Sequence, residues 1–147
     1  MKKLTLTTLF AVIALVLSAC GGGGSPAGSG SSITGTVWQW TAMQETVPAS
    51  QSVVPDPENY TITFKDDGTA DIKADCNNVT ATYKIDGSNL TITLGASTLM
   101  ACGDNSSDAV YLDSLSKVSS YAIENGQLRL KFPQDGGKMD FKNGGST

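Results

Sequence analysis

The strongest constraint on this chain is a two-residue alternation that runs from Thr34 to the end. In the segment 34–40, Thr36, Trp38 and Trp40 fall on one side. In 60–64, Tyr60, Ile62 and Phe64 do the same, as do Ala70, Ile72 and Ala74 in 69–74. The runs 79–85, 90–94, 120–124, 128–132 and 138–141 continue the pattern. A period of two buries one face of a strand and wets the other, which is the antiparallel arrangement. Asp-Gly and Asn-Gly pairs at Asp67-Gly68, Asp86-Gly87, Asn125-Gly126 and Asp135-Gly136 supply the positive φ that tight hairpins need. The expectation is a mainly β (α+β) domain: a small antiparallel β-barrel of about eight strands.

Two segments break the alternation. Residues 42–59 contain Pro48, Pro55 and Pro57, which bar a central strand, so a long loop is expected there. In 104–121, Tyr111, Leu115 and Val118 recur at i, i+4 and i+7 with Leu112 beside them. Asn105 or Ser106 can cap the start, and Asp108 suits the first turn. One amphipathic helix at about 107–119 is expected, lying across an open end or edge of the barrel.

The N-terminus is of a different kind. Lys2 and Lys3 precede a short apolar run, Leu9 to Leu17, and then Leu17-Ser18-Ala19-Cys20. The run is short of the roughly 20 residues a spanning helix needs and reads as a secretory signal. "LSAC" resembles the lipobox of bacterial lipoproteins, which implies cleavage before Cys20 and acylation of that residue. Residues 1–19 are then a signal peptide and 20–32, rich in Gly and Ser, a flexible tether. The folded domain is expected at 33–143, with 144–147 as a tail. Export and anchoring to a bacterial membrane, inner or outer, through several acyl chains follow from this reading.

Composition removes several function classes. The chain has no histidine, so a Ser-His-Asp triad, a Cys-His pair and the commonest zinc ligand are absent. Without the first 19 residues, 8 basic residues face 14 acidic ones, a net charge of −6. No cluster of Lys or Arg is present to grip phosphates, so no nucleic-acid partner is expected. Asp66, Asp67, Asp71 and Asp75 gather around one hairpin but lack calcium-loop spacing. Turn chemistry and solvated faces account for them, and neither a metal site nor a cofactor is expected. Trp38 and Trp40 are either core fillers or a stacking platform for a sugar or apolar ligand, with at least one of them in the core.

Cys76 and Cys102 remain once Cys20 is assigned to lipid. In an oxidising compartment a disulfide is the simplest outcome. Two buried thiols, or a reactive thiol, are the alternatives.

Cys76-Asn77, Tyr83 in the following strand, and Thr98-Leu99-Met100-Ala101-Cys102, with Trp38 or Trp40 as an early tryptophan, resemble the pattern of the META domain family of HslJ-like bacterial lipoproteins. Asp75 and Ala81 stand where that pattern has glycine. The resemblance covers most of 33–141. It implies a small β-barrel flanked by one helix, with Asn77, Tyr83, Thr98, Met100 and Ala101 as structural motif residues, Met100 as a core filler and Cys102 as a staple to Cys76. It also implies a role in envelope stress and no shared catalytic chemistry. The fold is similar to that of lipoprotein pilotins, which hold apolar ligands or partner peptides.

The expected function is that of a monomeric, non-catalytic envelope lipoprotein that binds a partner protein or a small apolar ligand, with Trp38, Trp40 and the 42–59 segment as candidate contacts. Inhibition of an exported peptidase through 42–59 is the alternative. A hydrolase built on Asp66, Asp67 and Asp75 is a weaker third.

Overall fold

The computed structural model describes residues 32–147. Cys20 and the 1–19 segment lie outside the described residues. Nine strands and one helix follow in order: β1 Thr36–Thr46, β2 Ala49–Val53, β3 Tyr60–Phe64, β4 Thr69–Ala74, β5 Asn77–Asp86, β6 Asn89–Ser97, α1 Asp108–Ser116, β7 Ser120–Glu124, β8 Gln127–Lys131 and β9 Gly137–Ser146. Every strand pairing is antiparallel. From β3 to β9 each strand pairs with the next, and β9 returns to β1. Eight strands therefore close a barrel, with β2 as an added flap.

β1 makes the closure possible. Its first half pairs with β3 through Val37, Trp38 and Gln39, and its second half pairs with β2 through Ala42 to Thr46. Its other edge pairs with β9 along nearly its full length. Register shifts between Thr36 and Trp38 and between Trp40 and Ala42 bend it around the wall, which is the usual work of a bulge. At the start of β9, Gly137 has φ +136°, and a Cβ there would lie 2.1 Å from the Gln44 carbonyl oxygen, so only glycine lets β9 meet β1.

The alternation buries what it should. Tyr60, Ile62, Phe64, Ala70, Ile72, Ala74, Val79, Ala81, Leu90 and Ile92 form one core with Leu128, Leu130, Met139 and Phe141. The helix joins β6 to β7, where the wall is thinnest: those strands share a single Asn89–Ser120 residue pair. Two backbone bonds, Leu90 to Ser119 and Tyr121 to Ser88, complete that seam. Tyr111 and Leu115 of α1 are wholly buried and Leu112 packs against the core from the side. Ser107 occupies the cap position and no side chain caps it there. Ser106 still contributes, since its hydroxyl accepts from the Asp108 amide at 3.2 Å.

Three expectations need correction. The 42–59 segment is not a loop: its first half completes β1 and its middle forms β2, so the two make a hairpin turning at Val47-Pro48. The prolines flank β2 and a 3-10 turn at Pro57–Asn59 instead of breaking a strand. Second, residues 144–147 are not a tail, because β9 runs to Ser146, which pairs with Thr36, and the Thr147 amide donates to Gly35. Third, the helix spans Asp108–Ser116 and Val118, although buried, lies beyond it.

Candidate functional site: a motif clamp and a cleft beside the helix

The motif residues come together around one loop, 97–102. Cys76 and Cys102 are bonded, with Cα atoms 5.6 Å apart. The bond ties the start of β5 to the connection between β6 and α1. Asn77, 6% exposed, fixes the same loop with its side chain. Its carbonyl oxygen accepts from the Met100 amide at 2.8 Å and from the Thr98 hydroxyl at 3.0 Å. Its amide donates to the Met100 carbonyl at 3.0 Å and reaches Cys102 Sγ at 3.3 Å. A primary amide has two acceptor lone pairs and two donors; both acceptor sites serve this loop, and the amide group also lies 3.5 Å from the Asp108 carboxylate of α1. The Thr98 hydroxyl also accepts from the Asn78 amide at 3.0 Å, which continues β5 into the clamp.

This clamp changes the role assigned to Met100. Its backbone is held at both polar groups, but its side chain is 55% exposed, so it is not a core filler. Ala101 is exposed as well. Tyr83 lies apart from the clamp, half-buried on β5: its ring meets Phe64 edge-on at 4.9 Å and its hydroxyl donates to the Lys65 carbonyl at 2.6 Å. Asp75, which precedes Cys76, has φ +56°. That is the left-handed region where glycine is at ease, and aspartate, which stands here where the resemblance has glycine, is among the residues that tolerate it.

The two tryptophans are core. Trp38 is 3% exposed and Trp40 2%. Each indole N–H is satisfied inside the fold, Trp38 on the Ile33 carbonyl at 2.8 Å and Trp40 on the Ala42 carbonyl at 2.9 Å. Trp40 stacks on Tyr111 with ring centres 5.1 Å apart and meets Tyr60 edge-on at 5.7 Å. Neither indole is a stacking platform for a ligand.

The acidic residues are spread out rather than assembled. The Asp67 carboxylate accepts from the Thr69 hydroxyl at 2.6 Å and the Thr69 amide at 2.9 Å, and these bonds hold it below the usual carboxylate range. Asp71 pairs with Lys65 at 2.7 Å. Among the described residues, no three His, Cys, Asp or Glu side chains converge as a metal site.

A concavity opens instead between the exposed side of α1, the second half of β1 and the segment after β8. Its volume is about 490 Å³. Met43, Val110, Phe132 and Pro133 supply apolar wall, and Glu45, Asp113 and Lys117 supply charge. Ser114, buried, donates its hydroxyl to Met43 Sδ at 3.4 Å and so seats the thioether. Lys117 pairs with Asp113 at 2.5 Å across one helical turn. An apolar wall with a few convergent polar groups is the usual composition of a ligand site. Of its lining, the sequence pointed to the segment that holds Met43 and Glu45 and to the side of the expected helix. Phe132 and Pro133 follow β8 directly, and nothing in their local pattern marks them as lining a cleft.

The family of META domains matches residues 31–144. No curated protein matches the chain significantly. Two solved structures are similar in fold. A protein from Burkholderia xenovorans determined by NMR aligns with TM-score 0.60 at 20% identity, covering 76% of this chain and 83% of its own. A DUF4847 family protein from Bacteroides vulgatus, known from a crystal structure, aligns with TM-score 0.55 at 14% identity, covering 75% and 93%. At these identities they speak for the fold alone. With the match spanning nearly all of the barrel, and with Cys76, Asn77, Thr98, Met100 and Cys102 joined in one clamp, the chain belongs to the META domain family.

Proposed function

We propose that this chain is a non-catalytic binding domain of the bacterial envelope, tethered by lipid on Cys20, and that it holds a small apolar ligand or an apolar partner segment in the cleft beside α1. The cleft carries the reading: it has the size and the mixed apolar and charged wall of a ligand site, and Glu45, Val110, Asp113 and Lys117 in its lining stand outside the core. Val110, 48% exposed, is its most accessible apolar member on the helix. The signal-like N-terminus and the lipobox support export and anchoring, and a role in envelope stress agrees with membership of the family. Titration with a fluorescent fatty acid tests the cleft. Saturable binding should weaken about tenfold or more in Val110→Arg, with the thermal midpoint unchanged. Equal binding by the variant, or none by the parent, removes the cleft from consideration. Metabolic labelling with a clickable palmitate analogue, lost in Cys20→Ser, tests the anchor separately.

A second reading rests on the β1–β2 hairpin. Val47 at its turn is 89% exposed and next to Pro48, and β2 is exposed throughout. A projecting turn of this kind can enter the cleft of an exported peptidase. Inhibition of a secreted peptidase that disappears in Val47→Asp would favour this reading over the first.

A further inference from the structure

We infer that the loop held by the motif clamp, residues 97–104, is a second docking surface, and that it fits a protein partner presenting an apolar pocket ringed by lysine or arginine. Leu99 is 94% exposed and Met100 55%. Two adjacent large apolar side chains in water are unusual on a loop this tightly fixed. Asn77 grips the Met100 backbone at both its N–H and its C=O, and two residues later Cys102 is bonded to Cys76. The clamp orders the backbone while Leu99 and Met100 add nothing to the core. A contact made through a pre-ordered loop loses little conformational entropy on binding, so each apolar group buried there contributes more to affinity.

The surroundings say what kind of partner covers it. A polar groove of about 530 Å³ runs beside the loop and is lined by Asp56, Asp75 and Asp104 with no lysine or arginine. The Asp108 carboxylate lies 3.5 Å from the Asn77 amide, under the same loop. Lys73, two residues before Asp75, is turned to the Glu58 carbonyl and the Asn59 side chain. An apolar pair with an acidic border repels an anionic bilayer and a second copy of this acidic chain, and it attracts a surface of opposite sign. This surface lies at the N-terminal end of α1 and shares no lining residue with the cleft that holds Lys117.

The chain from Gly21 onward, which keeps every residue of the closed barrel, is the test protein. The probes are fluorescent peptides with a central leucine or phenylalanine flanked by lysine and arginine. Two control sets replace the basic flanks by glutamate or the apolar centre by serine. The basic apolar set should bind by fluorescence polarisation, weaken with added salt, and bind about tenfold or more weakly to L99S/M100S and to D75N/D104N. Val110→Arg, which alters the cleft, should leave this binding unchanged, so failure here and failure of the cleft reading are separable. The melting temperature of L99S/M100S should match the parent. The inference is overturned if no basic apolar peptide binds at about 1 mM, if the glutamate set binds equally, or if L99S/M100S binds like the parent. It is also overturned if phosphatidylcholine vesicles, or the chain itself at high concentration, prove to be what the Leu99–Met100 pair binds.

Discussion

At the scale of single residues, Asn77 and Tyr111 show opposite uses of a buried polar group. Asn77 spends most of its hydrogen-bonding capacity on the 97–102 loop, with one longer contact to Asp108. Replacing it by alanine strands the Met100 amide and carbonyl in a partly buried place, where an unmade bond costs more than a made one gains. Asn77→Ala should lower unfolding free energy by about 2–3 kcal/mol, measured by guanidinium titration. Asn77→Asp should fall between, because the acceptor for the Met100 amide survives and the donor to its carbonyl does not. Tyr111 is the reverse case. Its ring is needed for the stack on Trp40, but its hydroxyl is buried with no hydrogen-bond partner among the described residues. Tyr111→Phe keeps the ring and should be stabilising by about 1 kcal/mol. Burial also pushes the Tyr111 hydroxyl well above the usual tyrosine range. A raised folded value means that this group's contribution is complete below the unfolded tyrosine pKa of about 10 and is lost as pH rises beyond it. The advantage of Tyr111→Phe should therefore widen between neutral and strongly alkaline pH, and denaturation curves at the two pH values check both the sign and the trend.

At the scale of elements, strands with one wet face were readable and the rest were not. Ala70, Ile72 and Ala74 alternate cleanly because β4 has the core on one side and water on the other. β2 is exposed on both faces, so Ala49 to Val53 carries no period, and flanking prolines made the segment resemble a loop. The family resemblance implies a buried Met100, but the residue is 55% exposed, because the Asn77 side chain holds its backbone on a surface loop. The Cys76–Cys102 bond is legible from cysteine number and the export expected of the N-terminus, whereas its partner Asn77 is visible only through the motif. That bond joins two connections 26 residues apart and restrains the unfolded chain accordingly. Its loss in C76S/C102S should cost about 3 kcal/mol. Because the Asn77 bonds to Thr98 and Met100 remain, the double variant should still fold. Guanidinium midpoints of the parent should move to that of the variant when reductant is added, and a parent indifferent to reductant would show that the bond is not formed.

At the scale of the molecule, barrel and helix are parts of one core. Closure by β1 and β9 leaves a thin wall only between β6 and β7, and α1 covers that place from its own connection. Tyr111 of the helix stacks on Trp40 of β1 and meets Tyr60 of β3, so three elements distant in sequence share one aromatic cluster. Tyr60 returns the contact by accepting from the Ser107 amide at 2.8 Å, at the first turn of the helix. A helix of nine residues is too short to persist in water alone. It therefore cannot outlive the barrel, and a barrel deprived of Tyr111 and Leu115 loses part of its core, so neither can melt first. Two probes report on the two parts. Tryptophan emission follows Trp38 and Trp40 inside the barrel, and far-ultraviolet circular dichroism near the helical minimum includes α1. The two denaturation curves should coincide, as a two-state transition requires. Leu115→Ala should move both by the same amount, about 2–5 kcal/mol for a fully buried leucine. A helical signal that melts ahead of the tryptophan signal, or a Leu115→Ala shift confined to one of them, would mean that α1 is a detachable lid over a self-sufficient barrel.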